Sequence, residues 1–182
     1  MDNALLIVDI QNDYFPGGAM ALEGAAEAAA AAARLLAGFR ARGASVLHVR
    51  HLSLRPGAAF FLPGTFGAEI HESVRPSTGE PVFEKHFPNS FRETGLLDHL
   101  KANGIARLVV AGMMTHLCID TTVRAAFDLG YACTLAHDAC ATRALAFGGA
   151  QIAARDVQLA FVAALDGLFA RVRTAEAILA GS

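Results

Sequence analysis

The amino-acid sequence predicts an α/β fold with a parallel sheet. Short apolar runs of strand length recur along the 182 residues, and helical patterns that end at glycine separate them. The first run, residues 4–9, is continuously apolar up to its final acid, as in a strand that is buried on both faces. Because strands and helices alternate, we expect right-handed crossovers between parallel strands. No internal repeat or linker interrupts the pattern, so residues 1–182 are predicted to form one domain.

Strands and helices are predicted in turn along the chain. After the strand at residues 4–9, an alanine-rich helix is predicted from about Gly24, and it ends at Gly43, a residue type that favours helix C-termini. Further strands are predicted at residues 44–51, 81–85, 106–112, 131–139 and 168–174, and further helices at residues 93–104, 116–130 and 149–167.

Composition and charge exclude several classes of function. The net charge is −2 and no basic stripe is present, which argues against a nucleic-acid partner. No apolar run reaches membrane-spanning length, and the N-terminus lacks the basic region of a signal peptide. Three cysteines without framework spacing fit a reducing cytoplasm. The 54% apolar content predicts a homo-oligomer, either a dimer or a tetramer.

Three titratable groups are predicted to meet at one edge of the sheet. Asp9 ends the first strand, Lys85 ends the third, and Cys118 follows the fourth. Ligands of open α/β sheets bind outside the carboxyl ends of the strands. Lys85 is one of only two lysines beside thirteen arginines, which indicates a specific need for an amine. The alternatives are a solvated Lys85 and an Asp9 that binds loop amides or caps a helix.

Cys118 is predicted to lie in the first turn of a helix that Thr115 caps. Unpaired N–H groups there would lower the pKa of the thiol and favour a nucleophilic thiolate. The alternative is a small buried core residue. His116 is two positions away and does not face Cys118 on a helix, so Asp9 is the better candidate base.

Three segments together resemble a known family: "LLIVDIQNDYFPGG" around Asp9, "VFEKHFPNSF" around Lys85 and "VVAGMMTHLCIDTTVRAAFDLGY" around Cys118. The chain resembles the isochorismatase-like cysteine hydrolases. This resemblance implies a three-layer αβα sandwich with a six-stranded parallel Rossmann-like sheet. It also implies a triad in which Asp9 takes the thiol proton, Lys85 stabilises charge and Cys118 attacks a carbonyl carbon. A cis peptide is implied at Met113–Met114, where the backbone N–H groups of Met114 and Cys118 would bind the oxyanion.

The implied activity is hydrolysis of a small-molecule amide through a thioester, without metal or organic cofactor. The alternatives are hydrolysis of a vinyl ether, as isochorismatases perform it, and a non-catalytic binding or scaffold role. A metal site is not expected, because His48 and His51 point to opposite faces of a strand and the Asp-x-His pair of the nicotinamidases is missing. The predicted substrate-binding residues, which could instead pack a subunit interface, are Phe15, Phe61, Phe66, His116 and Ile119.

Overall fold

A six-stranded parallel sheet forms the centre of the protein in a computed structural model that describes residues 3–181. Along the sheet the strands are ordered β3-β2-β1-β4-β5-β8. The central strands are β1 (Asn3–Val8), β2 (Ser45–His51) and β4 (Arg107–Met113). The outer strands of the sheet are β3 (Val82–Lys85), β5 (Ala132–Ala141) and β8 (Arg171–Arg173). The predicted α/β fold with a parallel sheet is therefore confirmed.

Helices cover both faces of the sheet. They are α1 (Ala25–Ala41), α2 (Leu96–Ala102), α3 (Asp120–Asp128), α4 (Ala154–Leu165) and α5 (Ala175–Ala180). Alternate residues of β1 point to opposite faces, so that Leu5 and Ile7 pack with α1 and α5, whereas Leu6 and Val8 pack with α2, α3 and α4. Burial on both faces explains why the strand reads as a continuous apolar run. The result is the three-layer sandwich that the resemblance implied.

The structure differs from the expected elements mainly in the C-terminal third. Residues 145–152 hold a small antiparallel hairpin of β6 (Leu145–Phe147) and β7 (Ala150–Ile152), so the helix predicted from residue 149 begins only at Ala154. The strand predicted at residues 168–174 is shortened to β8, and α5 was not predicted. Among residues 3–181, no helix has the length and apolar content needed to cross a membrane.

Candidate active site

The carboxyl edge of the sheet brings together an acid, an amine and a thiol. The Nζ atom of Lys85 lies 2.7 Å from Oδ2 of Asp9, and it donates a hydrogen bond to Sγ of Cys118 at 3.3 Å. It is also 3.0 Å from Nδ1 of His51, which comes from the end of β2. The side chains of Asp9 and Lys85 are fully buried, and Cys118 is 6% exposed. The three predicted residues therefore form one cluster, to which the structure adds an imidazole.

Asp9 and Lys85 are placed by the ends of their strands. Asp9 leaves β1 with a positive φ of 53°, and its backbone N–H donates to the Val49 carbonyl at 3.0 Å, which ties the turn to β2. Lys85 is the last residue of β3 and is paired in register with His51 of β2. Because parallel strands end at the same sheet edge, β1 and β3, which flank β2, bring Asp9 and Lys85 to the same edge.

Cys118 lies in a wide helical turn that precedes α3. The turn, Thr115–Ile119, is a π-helix in which the N–H of Ile119 donates to the Met114 carbonyl at 3.2 Å. The peptide bond Met113–Met114 is cis. The expectation that Thr115 caps a regular α-helix is wrong, because its hydroxyl instead donates to Gln158 Oε1 at 2.6 Å. Single π turns are frequent at functional sites, where they change the direction of a side chain.

The thiol of Cys118 is protonated in this environment. Burial, the negative charge of Asp9 and the hydrogen bond with Asp9 raise the pKa of the thiol to about 12, although Lys85 acts in the opposite direction. The expectation that the helix start lowers this pKa is therefore wrong: loss of solvation around a buried thiolate outweighs the effect of the turn. Consequently a reaction at Sγ requires a base, and the Asp9 carboxylate lies within 4.8 Å of the sulfur.

Lys85 and His51 differ in charge at neutral pH. Burial alone would lower the pKa of the Lys85 amine, but the negative charge of Asp9 and the hydrogen bonds to Asp9 and Cys118 outweigh burial and raise it. Burial and the adjacent Lys85 ammonium lower the pKa of His51 to about 4, in spite of Asp9. At neutral pH the cluster therefore contains a charged ammonium and a neutral imidazole.

Asp9, His51 and Cys118 are residue types that bind metal ions, and their ligand atoms lie within 4.8 Å of one another. However, the Lys85 ammonium contacts all three groups at 2.7–3.3 Å. It supplies the positive charge that a metal ion would otherwise supply among these ligands, and a second cation beside it would be repelled. The donor set therefore fits the ammonium better than a metal.

Comparison with known proteins agrees with this geometry. The family model of the isochorismatase domain matches residues 3–176. The isochorismatase family protein YddQ of Bacillus subtilis is 52% identical over 98% of this chain and 99% of its own length. A crystal structure described as that of an isochorismatase hydrolase from Oleispira antarctica is 49% identical, with a TM-score of 0.96 over 99% of this chain and 97% of that one. This chain belongs to the isochorismatase family. The nicotinamidase of Escherichia coli is 30% identical over 75% of this chain and 82% of its own length.

Beside the cluster, this isochorismatase-family hydrolase has a cavity of about 330 Å³. Its wall includes Cys118 and Met114 together with side chains from the loops that follow β1, β2 and β3. Most of the wall is apolar, and among residues 3–181 no acidic side chain contributes to it. The lining residues that come from these loops are Tyr14, Ser53, Arg55, Phe60, Phe61, His86, Phe87 and Pro88. The volume suits a small substrate.

The five residues predicted to bind substrate lie in different places. Phe61 lines the cavity, and its backbone N–H donates to the buried Asp13 carboxylate at 2.6 Å. Phe15 is buried and stacks on His71, with 3.7 Å between the ring centroids. Phe66 is 81% exposed and lines a separate, larger groove of about 720 Å³. The ring of His116 bonds to the Thr142 hydroxyl, and Ile119 is fully buried in the core. Of the five, only Phe61 lines the cavity beside Cys118.

Several polar residues at the cavity were not predicted from the sequence, and His51 and Tyr14 are two of them. His51 was considered only as a metal ligand, although it ends a strand at the same sheet edge as Asp9 and Lys85, and this position was the available signal. Tyr14 lines the cavity, and burial together with the negative charge of Asp9 raises the pKa of its phenol well above the usual value. Tyr14 therefore presents a neutral hydroxyl. Its place depends on a three-residue helical turn, Asn12–Tyr14, for which the sequence gives no clear signal.

Proposed function

We propose that this protein hydrolyses a C–N bond of a small-molecule amide, with Cys118 as nucleophile, Asp9 as base and Lys85 as the stabilising cation. The observation that carries the proposal is the buried contact of Lys85 Nζ with both the Asp9 carboxylate and the Cys118 sulfur. A protonated thiol beside a buried carboxylate is a nucleophile with its base in place. One relative is named a nicotinamidase, and hydrolysis of an amide breaks a C–N bond. This relationship supports the choice of a C–N bond here.

In the first half of the reaction, Asp9 removes the proton of the thiol while Sγ forms a bond to the substrate carbonyl carbon. Negative charge then moves to the carbonyl oxygen, for which we assign the backbone N–H groups of Met114 and Cys118 as donors. A single donor of this kind contributes roughly 3–4 kcal/mol of transition-state stabilisation. The C–N bond breaks, the leaving nitrogen takes the proton from Asp9, and an acyl thioester remains on Cys118.

In the second half of the reaction, the amine has left and a water molecule attacks the thioester. Asp9, again ionised, takes a proton from the water molecule as its oxygen attacks the thioester carbon. The C–S bond then breaks, the acid leaves, and the proton held by Asp9 returns to the sulfur. Lys85 stays charged throughout, because the raised pKa of its amine lies far above neutral pH. Its positive charge faces the sulfur in both steps.

The test is to trap the thioester. The protein is incubated with a panel of small primary amides and substituted ureas, each with and without a carboxylate, and quenched in acid for intact-mass and peptide analysis. We expect a mass increase by the acyl group on the Cys118 peptide and release of ammonia. Cys118→Ala should lose both, with turnover reduced by at least about 10³-fold.

The matched control is Cys133→Ala, which removes a buried thiol near the start of β5, away from the cluster. It should keep the adduct and the turnover. If Cys118→Ala retained full turnover while Asp9→Asn lost it, the thioester mechanism would be refuted, and hydrolysis by Asp9 and Lys85 without the thiol would replace it. Absence of both turnover and adduct over the whole panel would instead favour a non-catalytic role.

A further inference from the structure

We infer that His51 is a positioning residue of the reactive cluster, because it accepts the third hydrogen bond of the Lys85 ammonium and so holds this cation between Asp9 and Cys118. The inference rests on the proposed function and adds a fourth residue to it. It concerns the Nδ1 atom of His51, which lies 3.0 Å from Lys85 Nζ.

The hydrogen-bonding capacity of the ammonium leads to this role. A lysine ammonium has three N–H donors and no acceptor. Lys85 is fully buried, and an N–H group without an acceptor would be costly there. The three contacts are with Asp9 at 2.7 Å, His51 at 3.0 Å and Cys118 at 3.3 Å. Removal of His51 would leave one donor unpaired and the ammonium free to move away from the sulfur.

The protonation state of His51 fits an acceptor. Because the ammonium can only donate, Nδ1 must offer a lone pair, and the proton of the neutral ring must be on Nε2. Burial and the Lys85 charge lower the pKa of His51 to about 4, and the nearby His86 and Arg55 act in the same direction, whereas Asp9 opposes them. The ring is therefore neutral at physiological pH and does not repel Lys85.

One buried side chain, Gln11, binds both the N–H and the carbonyl of the His51 backbone. Gln11 donates from Nε2 to the His51 carbonyl at 2.9 Å, and its Oε1 accepts from the His51 N–H at 2.8 Å. The same Nε2 donates to the Ala68 carbonyl at 2.8 Å. Together with the register pairing of His51 and Lys85, these bonds fix the backbone from which the imidazole extends before any substrate arrives.

A neutral acceptor suits the proposed reaction better than a second carboxylate would. When Asp9 takes the thiol proton, its attraction for the ammonium falls while negative charge appears on the sulfur. A carboxylate at position 51 would then draw the ammonium away from the thiolate. An imidazole holds the cation by a hydrogen bond but leaves its charge available to Cys118.

Two variants test the role through the reactivity of the thiol and need no substrate. The second-order rate of alkylation of Cys118 by iodoacetamide is followed by peptide mass spectrometry between pH 5 and 9. His51→Leu removes the acceptor and should slow labelling by about 10- to 100-fold. His51→Asn places an amide oxygen near the position of Nδ1 and should remain within about threefold of the unmodified protein. His48→Asn, on the same strand, is the matched control and should label normally even if its melting temperature falls.

The outcomes separate this inference from the proposed function. If Cys118 of the unmodified protein labels no faster than the buried Cys133 at any pH, the proposed nucleophile fails. If it labels faster but His51→Leu does so equally well, only the role of His51 is overturned. Should His51→Leu not fold, nitrogen NMR of the unmodified protein decides. We expect a neutral His51 ring protonated on Nε2 at pH 6, and a ring protonated on Nδ1 or on both nitrogens would contradict the inference.

Discussion

At the scale of single residues, the arrangement that favours reaction carries a cost in stability. Asp9 and Lys85 are opposite charges that are completely buried, and burial of such a pair loses the hydration of both groups. Their attraction offsets this loss only while both charges are present. The pair is therefore better explained by the chemistry at Cys118 than by stabilisation of the fold.

This view predicts a non-additive effect on stability. Asp9→Asn leaves an unpaired buried ammonium and should lower the free energy of unfolding by about 3–5 kcal/mol. Asp9→Asn combined with Lys85→Met removes both charges and should recover at least half of that loss, although it abolishes turnover. Urea unfolding of the single and double variants measures the difference.

The control for this cycle is the partly exposed pair of Asp120 and Arg124, which are in contact at 3.0 Å within α3. Asp120→Asn should cost less than about 1 kcal/mol, because solvent screens this pair. A double variant of Asp9 and Lys85 that is less stable than Asp9→Asn alone would show that the buried pair stabilises the fold in its own right.

At the scale of elements, the close approach of β1 and β4 sets the geometry of the site. Gly112 pairs with Val8 in register, and its φ is 139°, in the region that favours glycine. A Cβ atom at Gly112 would lie 1.9 Å from the Val8 carbonyl oxygen. Val8 directly precedes Asp9, and Gly112 directly precedes the Met113–Met114 peptide. A side chain at this position would thus push apart the two segments that carry the base and the nucleophile turn.

Gly112→Ala should therefore reduce the free energy of unfolding by at least about 3 kcal/mol, the sum of backbone strain and overlap in a packed core. The matched substitution is Gly130→Ala, where φ is 89° but no heavy atom lies within 4 Å of the added Cβ. It should cost only about 1–2 kcal/mol. Equal melting temperatures of the two variants would mean that the contact with Val8 does not matter.

The sequence predicts those features that depend on local pattern, and fails where placement depends on distant residues. The strands β1 to β5 and the sheet edge with Asp9 and Lys85 follow from apolar runs and the residues that end them. The helix α5 has six residues, and its first N–H is bound by Asp138, 37 positions earlier. The role of His51 likewise depends on its pairing with Lys85 across 34 positions. Neither contact can be predicted from the residues that are adjacent in the sequence.

At the scale of the whole molecule, a polar contact far from the cavity links three elements. Glu80 precedes β3 and binds Arg40 of α1 at 2.7 Å and His48 of β2 at 3.0 Å. Its carboxylate also accepts the Ser77 N–H at 2.9 Å. The hydrogen bond from Arg40 is the main reason why the pKa of Glu80 is lowered to about 2, and the Ser77 and His48 bonds add to it. The ionised carboxylate thus holds the outer helix against the sheet.

The lowered pKa makes this contact sensitive to acid. Because the pKa is about 2 in the folded chain and about 4.5 in the unfolded chain, the stabilisation is complete above pH 4.5 and disappears as the pH falls through 2. Glu80→Gln should lower the melting temperature at pH 7, for a loss on the order of 1 kcal/mol after solvent screening. The difference from the unmodified protein should shrink steadily below pH 4.5.

Melting curves of both proteins between pH 7 and 2.5 test this expectation. Glu84→Gln is the matched control, because Glu84 binds Arg50 at 2.9 Å on the exposed side of β3 and should contribute little. A difference between Glu80→Gln and the unmodified protein that stayed constant down to pH 2.5 would mean that the charge of Glu80 does not hold α1, β2 and β3 together. Turnover at neutral pH should be unchanged in Glu80→Gln, since the cluster of Asp9, Lys85 and Cys118 lies at the opposite face of β2 from His48.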